Sequence, residues 1–513
     1  MYLGINTNDS ELLKYSNRLL CLVRCYITFK NSILIFFKIL QLFNSNNYSH
    51  SSVILLMLFF TISNRWILPV DNSKILAVET IGCKSHWNFM SAVLRSLTNA
   101  GHSVTVFTPL THGDRKNYTE VDLSKNFPIL MAKDMKETLD VYASPFAYIN
   151  MKTGLNTRYC DSVYGNQQFN EIIGNYKADF DVIIIQPLSV DCMSYLASTL
   201  NLPIIYVITS PMISYAERMF TGHLSNPAVV SNLLSQQAVP KTFVQRTVNT
   251  VLLAYSILIT TYDEWVLRIT NPRFLVDIGG IHLKPSKSIP QDVLNFIEDS
   301  HHGVIYFTFG SIIQSYTLPE QIINSFKEAF SNVPQKVLWK FEGEMKDVPK
   351  NVMIRKWFPQ RDIHFVRLNK RHGGISGIYE AVDGGVLVLG FPLFFDQPRN
   401  IDNLVNAEMA ISMDLFIINR EKLLNNILKL INNKKYMKNA KIASQRFKDR
   451  PMSPEQSVVY WTEYVIRHTG ASHLKSHGHN LSWYQYFLLD IIAVLLTFIS
   501  LYYTFTTMVL YCN

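Results

Sequence analysis

The residues best suited to chemistry lie between Trp357 and Asn400, in the run WFPQRDIHFVRLNKRHGGISGIYEAVDGGVLVLGFPLFFDQPRN. At its centre His372 is followed by Gly373 and Gly374, then by a helix-compatible run holding Ser376 and Glu380. Two glycines after a histidine let the backbone approach a ligand with no Cβ in the way. A helix opening there turns unpaired N–H groups toward that ligand, and such an end favours anions, phosphate above all. At the far end Phe395-Asp396-Gln397 closes an apolar run. A carboxylate beside a carboxamide binds several hydroxyls at once, as sugar recognition requires. Trp357 offers an indole face to a flat base and Gln360 a carboxamide to a ribose. Diphosphate at one end and sugar at the other describe a nucleotide-sugar site.

A second chemical centre is His86, in the segment Lys84-Ser85-His86-Trp87. An imidazole is the natural base for drawing a proton from a hydroxyl near neutral pH. A base of this kind has its other nitrogen oriented by an acid or an acceptor. The run Phe180–Ile185 reads as a strand, and the loop after it carries Gln186 and Asp191. Gln186 can orient an imidazole but cannot stabilise the imidazolium by charge. Two readings of Asp191 stand side by side, a partner of the base and a cap for the helix over 192–200.

These residues need elements to hold them. Lys74–Val78 reads as a buried strand, and Met90, Val93, Leu94 and Leu97 have the spacing of a helix face. Gly101 ends that helix and Val104–Phe107 is the next strand, so a β-α-β unit with parallel strands is expected, with His86 in the loop at its ligand edge. Leu202–Thr209 is a further strand, and Val248–Ile259 a helix. In the second half, strands are expected at Val304–Phe309, Val337–Lys340 and Val352–Lys356, with Gly310-Ser311 ending the first. Thr317-Leu318-Pro319-Glu320 has the form of a capping box for a helix through Phe330, and Ser453-Pro454-Glu455-Gln456 starts another to about His468.

W-x-P-Q, H-G-G, the following Glu and D-Q, in this order, resemble the signature of the UDP-glycosyltransferases, glycosyltransferase family 1. The flanking GISGIYEAVDGG and LGFPLFFDQPRNIDN are similar to its insect membrane-bound members. The resemblance runs from about Ile75 to the C-terminus. It implies an α/β GT-B architecture, two Rossmann-like domains facing a cleft, with a C-terminal transmembrane helix. It also implies transfer of a hexose, glucose first, from a UDP-sugar to a hydroxyl of a small lipophilic acceptor, with inversion. His86 would be the base. Ser311, His372, Gly373, Gly374 and Ser376 would hold the diphosphate, Trp357 the uracil, Gln360 and Glu380 the ribose, Asp396 and Gln397 the sugar. The UDP-sugar is the donor substrate. No cofactor and no metal are expected, and an oligomer is allowed. A catalytically impaired relative that binds lipophilic ligands or partners is the alternative.

Four features depart from the family pattern. Gln186 stands where many relatives have an acid. The chain between Trp265 and Gly279-Gly280-Ile281 is shorter than in relatives. The segment before His372 is short and charged, so only Phe365, Val366 and Leu368 suit a buried strand, and Arg367, Lys370 and Arg371 would be costly there. Leu387 replaces the usual Pro and Glu408 the usual Gly.

The expected organisation is an N-terminal extension over 1–52, a signal-like apolar segment over 53–73 and an acceptor-binding domain over 74–285. A UDP-sugar-binding domain over 286–452, a returning helix and linker over 453–480, and a membrane helix over 481–513 follow. The extension reads best as a false start of translation. A second membrane-active segment and an uncleaved anchor are the alternatives. Hydrophobic content of 48% leaves a surplus for membrane segments. The net charge of +9 comes from scattered residues without nucleic-acid motifs, which argues for a solvated basic surface. No G-x-G-x-x-G follows a strand, against a dinucleotide-dependent dehydrogenase. Six cysteines without a C-x-x-C argue against zinc; buried free thiols are the expected state, and partial pairing among Cys83, Cys160 and Cys192 in an oxidising lumen is the alternative. Charge placement at the last segment would put the main body in the cytosol. The family precedent puts it in the lumen of the endoplasmic reticulum, where the Asn117-Tyr118-Thr119 sequon fits.

Overall fold

The computed structural model describes residues 72–79, 81–125, 127, 158–175, 179–186, 192–209, 225–231, 237–260, 276–285, 288–310, 313–363, 366–371, 373–470, 474 and 481–512. The extension over 1–52, the signal-like segment up to residue 71 and, of the shortened stretch before Gly279, residues 266–275 lie outside them.

The first lobe is a parallel sheet built on β1 (Lys74–Val78), β2 (Ser103–Thr108), β3 (Tyr118–Asp122), β4 (Val182–Ile185) and β5 (Ile204–Tyr206), in the order β3-β2-β1-β4-β5. Ile75 to Val78 and Val182 to Ile185 are fully buried. Such apolar runs are what a sheet covered on both faces demands. Between β1 and β2 lies α1 (Lys84–Asn99), whose Met90, Val93, Leu94 and Leu97 face the sheet as their spacing predicts. His86 therefore sits in the first turn of α1, not in a free loop. The helix starts early because the Trp87 N–H bonds the Cys83 carbonyl at 3.0 Å. The strand expected over Leu202–Thr209 is shorter, since Val207 leaves the ladder after bonding Ile185. Along the chain follow α2 (Gln167–Asn175), α3 (Cys192–Thr199) and α4 (Phe243–Thr260). Cys83 is a buried free thiol as expected, but Cys160 is disulfide-bonded, which corrects the expectation for that residue.

After α5 (Gln291–Glu298) the second lobe forms around β6 (Val304–Phe307), β7 (Lys336–Lys340), β8 (Val352–Arg355), β9 (Val366–Arg371), β10 (Leu387–Gly390) and β11 (Ala410–Ser412), in the order β11-β10-β9-β6-β7-β8. All its pairings are parallel. Its core gathers Phe307, Phe309, Phe326, Phe330, Trp339 and Phe391. Helices α6 (Glu320–Ser331), α7 (Ile375–Asp383), α8 (Gln397–Asn406), α9 (Arg420–Asn432) and α10 (Lys434–Lys448) complete it. The expected capping box at Thr317 does not form. Pro319 is the N-cap of α6, and the Thr317 hydroxyl donates back to the Gln314 carbonyl at 2.8 Å.

The charged segment before His372 does form a central strand, with a bulge in it. Val304 pairs with Val366 while the next residue, Ile305, pairs with Leu368, so Arg367 drops out of the ladder with β6. Lys370 stays in the ladder opposite Phe307 and Leu389, and Arg371 opposite Gly390. Leu387, at the usual Pro position, is fully buried in β10. Glu408 has a φ of 51°, the left-handed region in which glycine is unstrained, so the family's usual Gly has a conformational reason.

Helix α11 (Pro454–Arg467) opens with the capping box read from the sequence. The Ser453 hydroxyl accepts from the Gln456 N–H at 3.1 Å, and the Gln456 side chain accepts from the Ser453 N–H at 2.9 Å. It lies on α1, with Val458 buried in the first lobe's core. After α12 (Trp483–Tyr486), α13 (Leu489–Cys512) contains a 20-residue apolar stretch, Leu489–Met508, of mean hydropathy 1.8 and wholly unburied. Its length and composition fit one membrane crossing.

Candidate active site

α7 opens at Gly374, directly after Gly373. Gly373 has a φ of 95°, and a Cβ there would lie 2.7 Å from Ile401 Cγ1 and 2.9 Å from the Gln397 carbonyl. Only glycine satisfies both the dihedral and the contact. The loop is thereby pressed against α8, the helix that begins at the Asp396-Gln397 pair. Asn400 fixes the junction: its Nδ2 donates to the Gly373 carbonyl at 2.9 Å and to Asp396 Oδ2 at 2.6 Å. The turn that opens α7 and the Asp396 carboxylate are thus one hydrogen-bonded unit.

Asp396 is 8% exposed, and burial pushes its carboxyl up to about 6. Phe395, just before it, has a φ of 59°, a strained conformation of the kind that gathers at functional sites. Gln397 is buried, and its carbonyl oxygen accepts from the Leu393 N–H at 3.0 Å and the Phe394 N–H at 3.4 Å. Its acceptor atom therefore braces the loop, and Nε2 is what it has left for a sugar.

Trp357 is 62% exposed at the end of β8, with its indole face open. Gln360 donates to Glu380 in a short hydrogen bond, which brings the W-x-P-Q loop onto α7. Arg361 reinforces this with a 2.6 Å ion pair to Asp383 at the other end of α7. Beneath the loop after β6, Lys340 donates to the Gly310 carbonyl and to Glu342, each at 2.6 Å, and Glu342 accepts from the Ser315 N–H at 2.7 Å. Ser376 lies in the first turn of α7, where its carbonyl is 3.1 Å from His282 Nε2. Ser311, His372 and Asp191 lie outside the described residues.

His86 turns its Nδ1 inward, 2.6 Å from the Gln186 carboxamide and 2.6 Å from Thr209 Oγ1. Among the described residues the opposite edge, Nε2, has no hydrogen-bond partner. Burial lowers the imidazole's pKa to about 4, and its place in the first turn of a helix disfavours the charged form in the same sense. The His86 imidazole is therefore uncharged at neutral pH. Trp87 is buried and its indole N–H donates to His112 Nδ1 at 2.8 Å. Behind Gln186 lies Glu79, fully buried at the end of β1 and missed in the sequence reading. A carboxylate placed directly after a wholly apolar strand, at the ligand edge of a parallel sheet, was the available signal.

The two centres face each other across a packed seam. Phe89, one turn beyond His86, packs tilted against His282 with centroids 4.1 Å apart and meets Tyr379 of α7 edge-on at 6.2 Å. Tyr379 and Ile375 pack against the first lobe's core. The linker is held by Arg450, which donates to the Gly279 carbonyl at 2.6 Å.

Two parallel-sheet lobes joined in this way define the GT-B class of glycosyltransferase. Among solved structures, the calicheamicin glycosyltransferase CalG4 matches 77% of this chain and 99% of its own, at a TM-score of 0.50 and 13% identity, a likeness of fold. The model of the UDP-glucoronosyl and UDP-glucosyl transferase family matches residues 73–266 and 254–513. UDP-glucosyltransferase 2 of Dactylopius coccus is 36% identical over 470 residues, covering 83% of this chain and 90% of its own. UDP-glucuronosyltransferase 2B17 of Rattus norvegicus is 31% identical over 473 residues, covering 80% and 88%. The chain belongs to the UDP-glucoronosyl and UDP-glucosyl transferase family, and it is a UDP-sugar glycosyltransferase.

Proposed function

We propose that the chain transfers a hexose, glucose first, from its UDP-sugar to the hydroxyl of a small lipophilic acceptor with inversion at the anomeric carbon. His86 Nε2 takes the acceptor's proton. The acceptor oxygen bonds to the anomeric carbon as the bond to the β-phosphate oxygen breaks, and that electron pair leaves with UDP. The N–H groups opening α7 at Gly374 and Ser376 take up the charge growing on the diphosphate, together with His372 and Ser311. Fixed backbone dipoles suit such a developing charge. Trp357 stacks on the uracil, Glu380 and Gln360 bind the ribose, and Asp396 with Gln397 Nε2 orients the sugar. The site supplies its own positive ends, so the reading calls for no metal and no cofactor beyond the donor.

The observation that carries this reading is the seam: the helix bearing the neutral His86 meets, through Phe89 and Tyr379, the helix that opens at Gly374. The test is turnover of UDP-glucose with a panel of phenols, beside UDP binding. His86→Ala should abolish transfer and leave UDP affinity unchanged. Undiminished turnover in that variant would overturn the mechanism, and UDP binding by the wild type without turnover would favour a non-catalytic binder.

The apolar α13 fits a single-pass anchor, and we assign it to the endoplasmic reticulum with both lobes in the lumen. The Cys160 disulfide and the exposed Asn117 sequon support an oxidising, glycosylating compartment. Accessibility of Asn117 to an endoglycosidase in intact microsomes, before and after permeabilisation, tests the orientation.

A further inference from the structure

Gln186 stands where relatives of this family pattern carry an acid, and the structure shows what lies behind it. With its amide oriented to satisfy every neighbour, Gln186 Nε2 donates to both oxygens of Glu79, at 2.8 and 2.6 Å. Its Oε1 then accepts from His86 Nδ1 at 2.6 Å and from Thr209 Oγ1 at 2.5 Å. Glu79 is 0% exposed, and its other contact is the Ile81 N–H, which donates to Oε1 at 3.0 Å. Three elements converge on this chain of bonds: the end of β1, the end of β4 and the segment after β5. The first turn of α1 closes it with His86.

We propose that Glu79 is a positioning residue for the transfer reaction, acting through the Gln186 carboxamide to select the His86 tautomer whose Nε2 is free to accept a proton. The proposal rests on the assignment of His86 as base. An ionised Glu79 accepts hydrogen bonds only, so it draws the Gln186 NH2 toward itself. The amide oxygen must then face His86, which places the ring proton on Nδ1 and the lone pair on Nε2. When His86 takes the acceptor's proton, the imidazolium is compensated by the Glu79 charge one amide away. A protonated Glu79 reverses the chain. Its O–H donates to the amide oxygen, the NH2 turns to His86 Nδ1 at the same 2.6 Å, and the ring proton moves to Nε2, where it blocks catalysis. Gln186 thus carries the influence of an acid that stands one residue further from the ring.

Burial pushes the Glu79 carboxyl up to about 8, partly offset by the Ile81 N–H, and burial alone lowers His86. No other charged group moves either value. The competent arrangement is therefore gained as pH rises through about 8.

The test uses the full-length chain in membranes, with kcat, KM for UDP-glucose and UDP binding measured from pH 6 to 9. Glu79→Gln should lower kcat on the order of 100-fold, the lower end of acid–base contributions. It should leave UDP binding and KM for the donor within about twofold and remove the rise near pH 8. The exchanged pair, Glu79→Gln with Gln186→Glu, should restore most of kcat, because the acid now touches His86 directly. A merely structural Glu79 would not be rescued by that exchange. Gln186→Leu, which cuts the relay with Glu79 in place, should also lose the rise near pH 8, and it keeps the question open to measurement if Glu79→Gln fails to fold. Wild-type kcat and pH profile in Glu79→Gln, or an exchanged pair no better than the single variant, would overturn the proposal. His86→Ala runs beside them. If it retains turnover, the assignment of the base has failed, and if it is dead while Glu79→Gln is active, only the role of Glu79 has.

Discussion

Burial pushes the Asp396 carboxyl from an ordinary 3.8 up to about 6, which sets its effect on stability against the sugar-binding role proposed for it. Between those two values the folded chain holds a proton that the unfolded chain has lost. Stability therefore falls as pH rises through that window and stays reduced above it. A tenfold change in proton affinity is worth about 1.4 kcal/mol, so the ionised carboxylate costs on the order of 1–3 kcal/mol at neutral pH. Asp396→Asn should raise the melting temperature at pH 7 and not at pH 3, while lowering kcat/KM for UDP-glucose at least tenfold. Differential scanning fluorimetry at the two pH values, with initial rates, checks both halves. Trp357 is the opposite case. Its exposed ring holds little of the fold together, and base stacking is worth about 1–3 kcal/mol, so Trp357→Ala should weaken UDP tenfold or more with an unchanged melting temperature. Isothermal calorimetry with UDP reads the first and fluorimetry the second. Asp396, Gln360 and Trp357 stand out in the sequence because each sits in a motif whose chemistry is explicit. Glu79 does not, because its partners are a hundred residues away in sequence and only β1 lying beside β4 brings them together.

At the level of elements, the apolar runs that needed burial on both faces gave themselves away. β1, α1 and β2 follow from periodicity alone, and so does the Ser453 box, where a hydroxyl and a carboxamide three residues apart satisfy each other's backbone. The Thr317 box has the same form but fails, since Pro319 and the turn before it occupy the place a cap would need. β9 shows the limit of composition: a bulge takes Arg367 out of the ladder, yet Lys370 and Arg371 pair within a central strand, and no pattern in the sequence announces this. Two expectations belong here. Gly373→Ala should destabilise the chain by about 2 kcal/mol or more, because φ and the Ile401 contact both oppose a Cβ, and UDP affinity should fall with it. Ser453→Ala should cost about 1 kcal/mol with no change in the chemistry of the site. Thermal melting in parallel with UDP titration separates the two.

Over the whole molecule, the linker at Gly279-Gly280 runs from the first lobe to the second, and α11 returns from the second to the first. The lobes are therefore joined twice, and any opening of the cleft must bend both connections. Truncation before Leu489 should release the chain from the membrane fraction on sedimentation while transfer activity remains, since α13 buries nothing against the lobes. The return by α11 has a further consequence. The apolar α13 follows, in chain order, a helix that packs on the lobe carrying His86 and buries Val458 in that lobe's core.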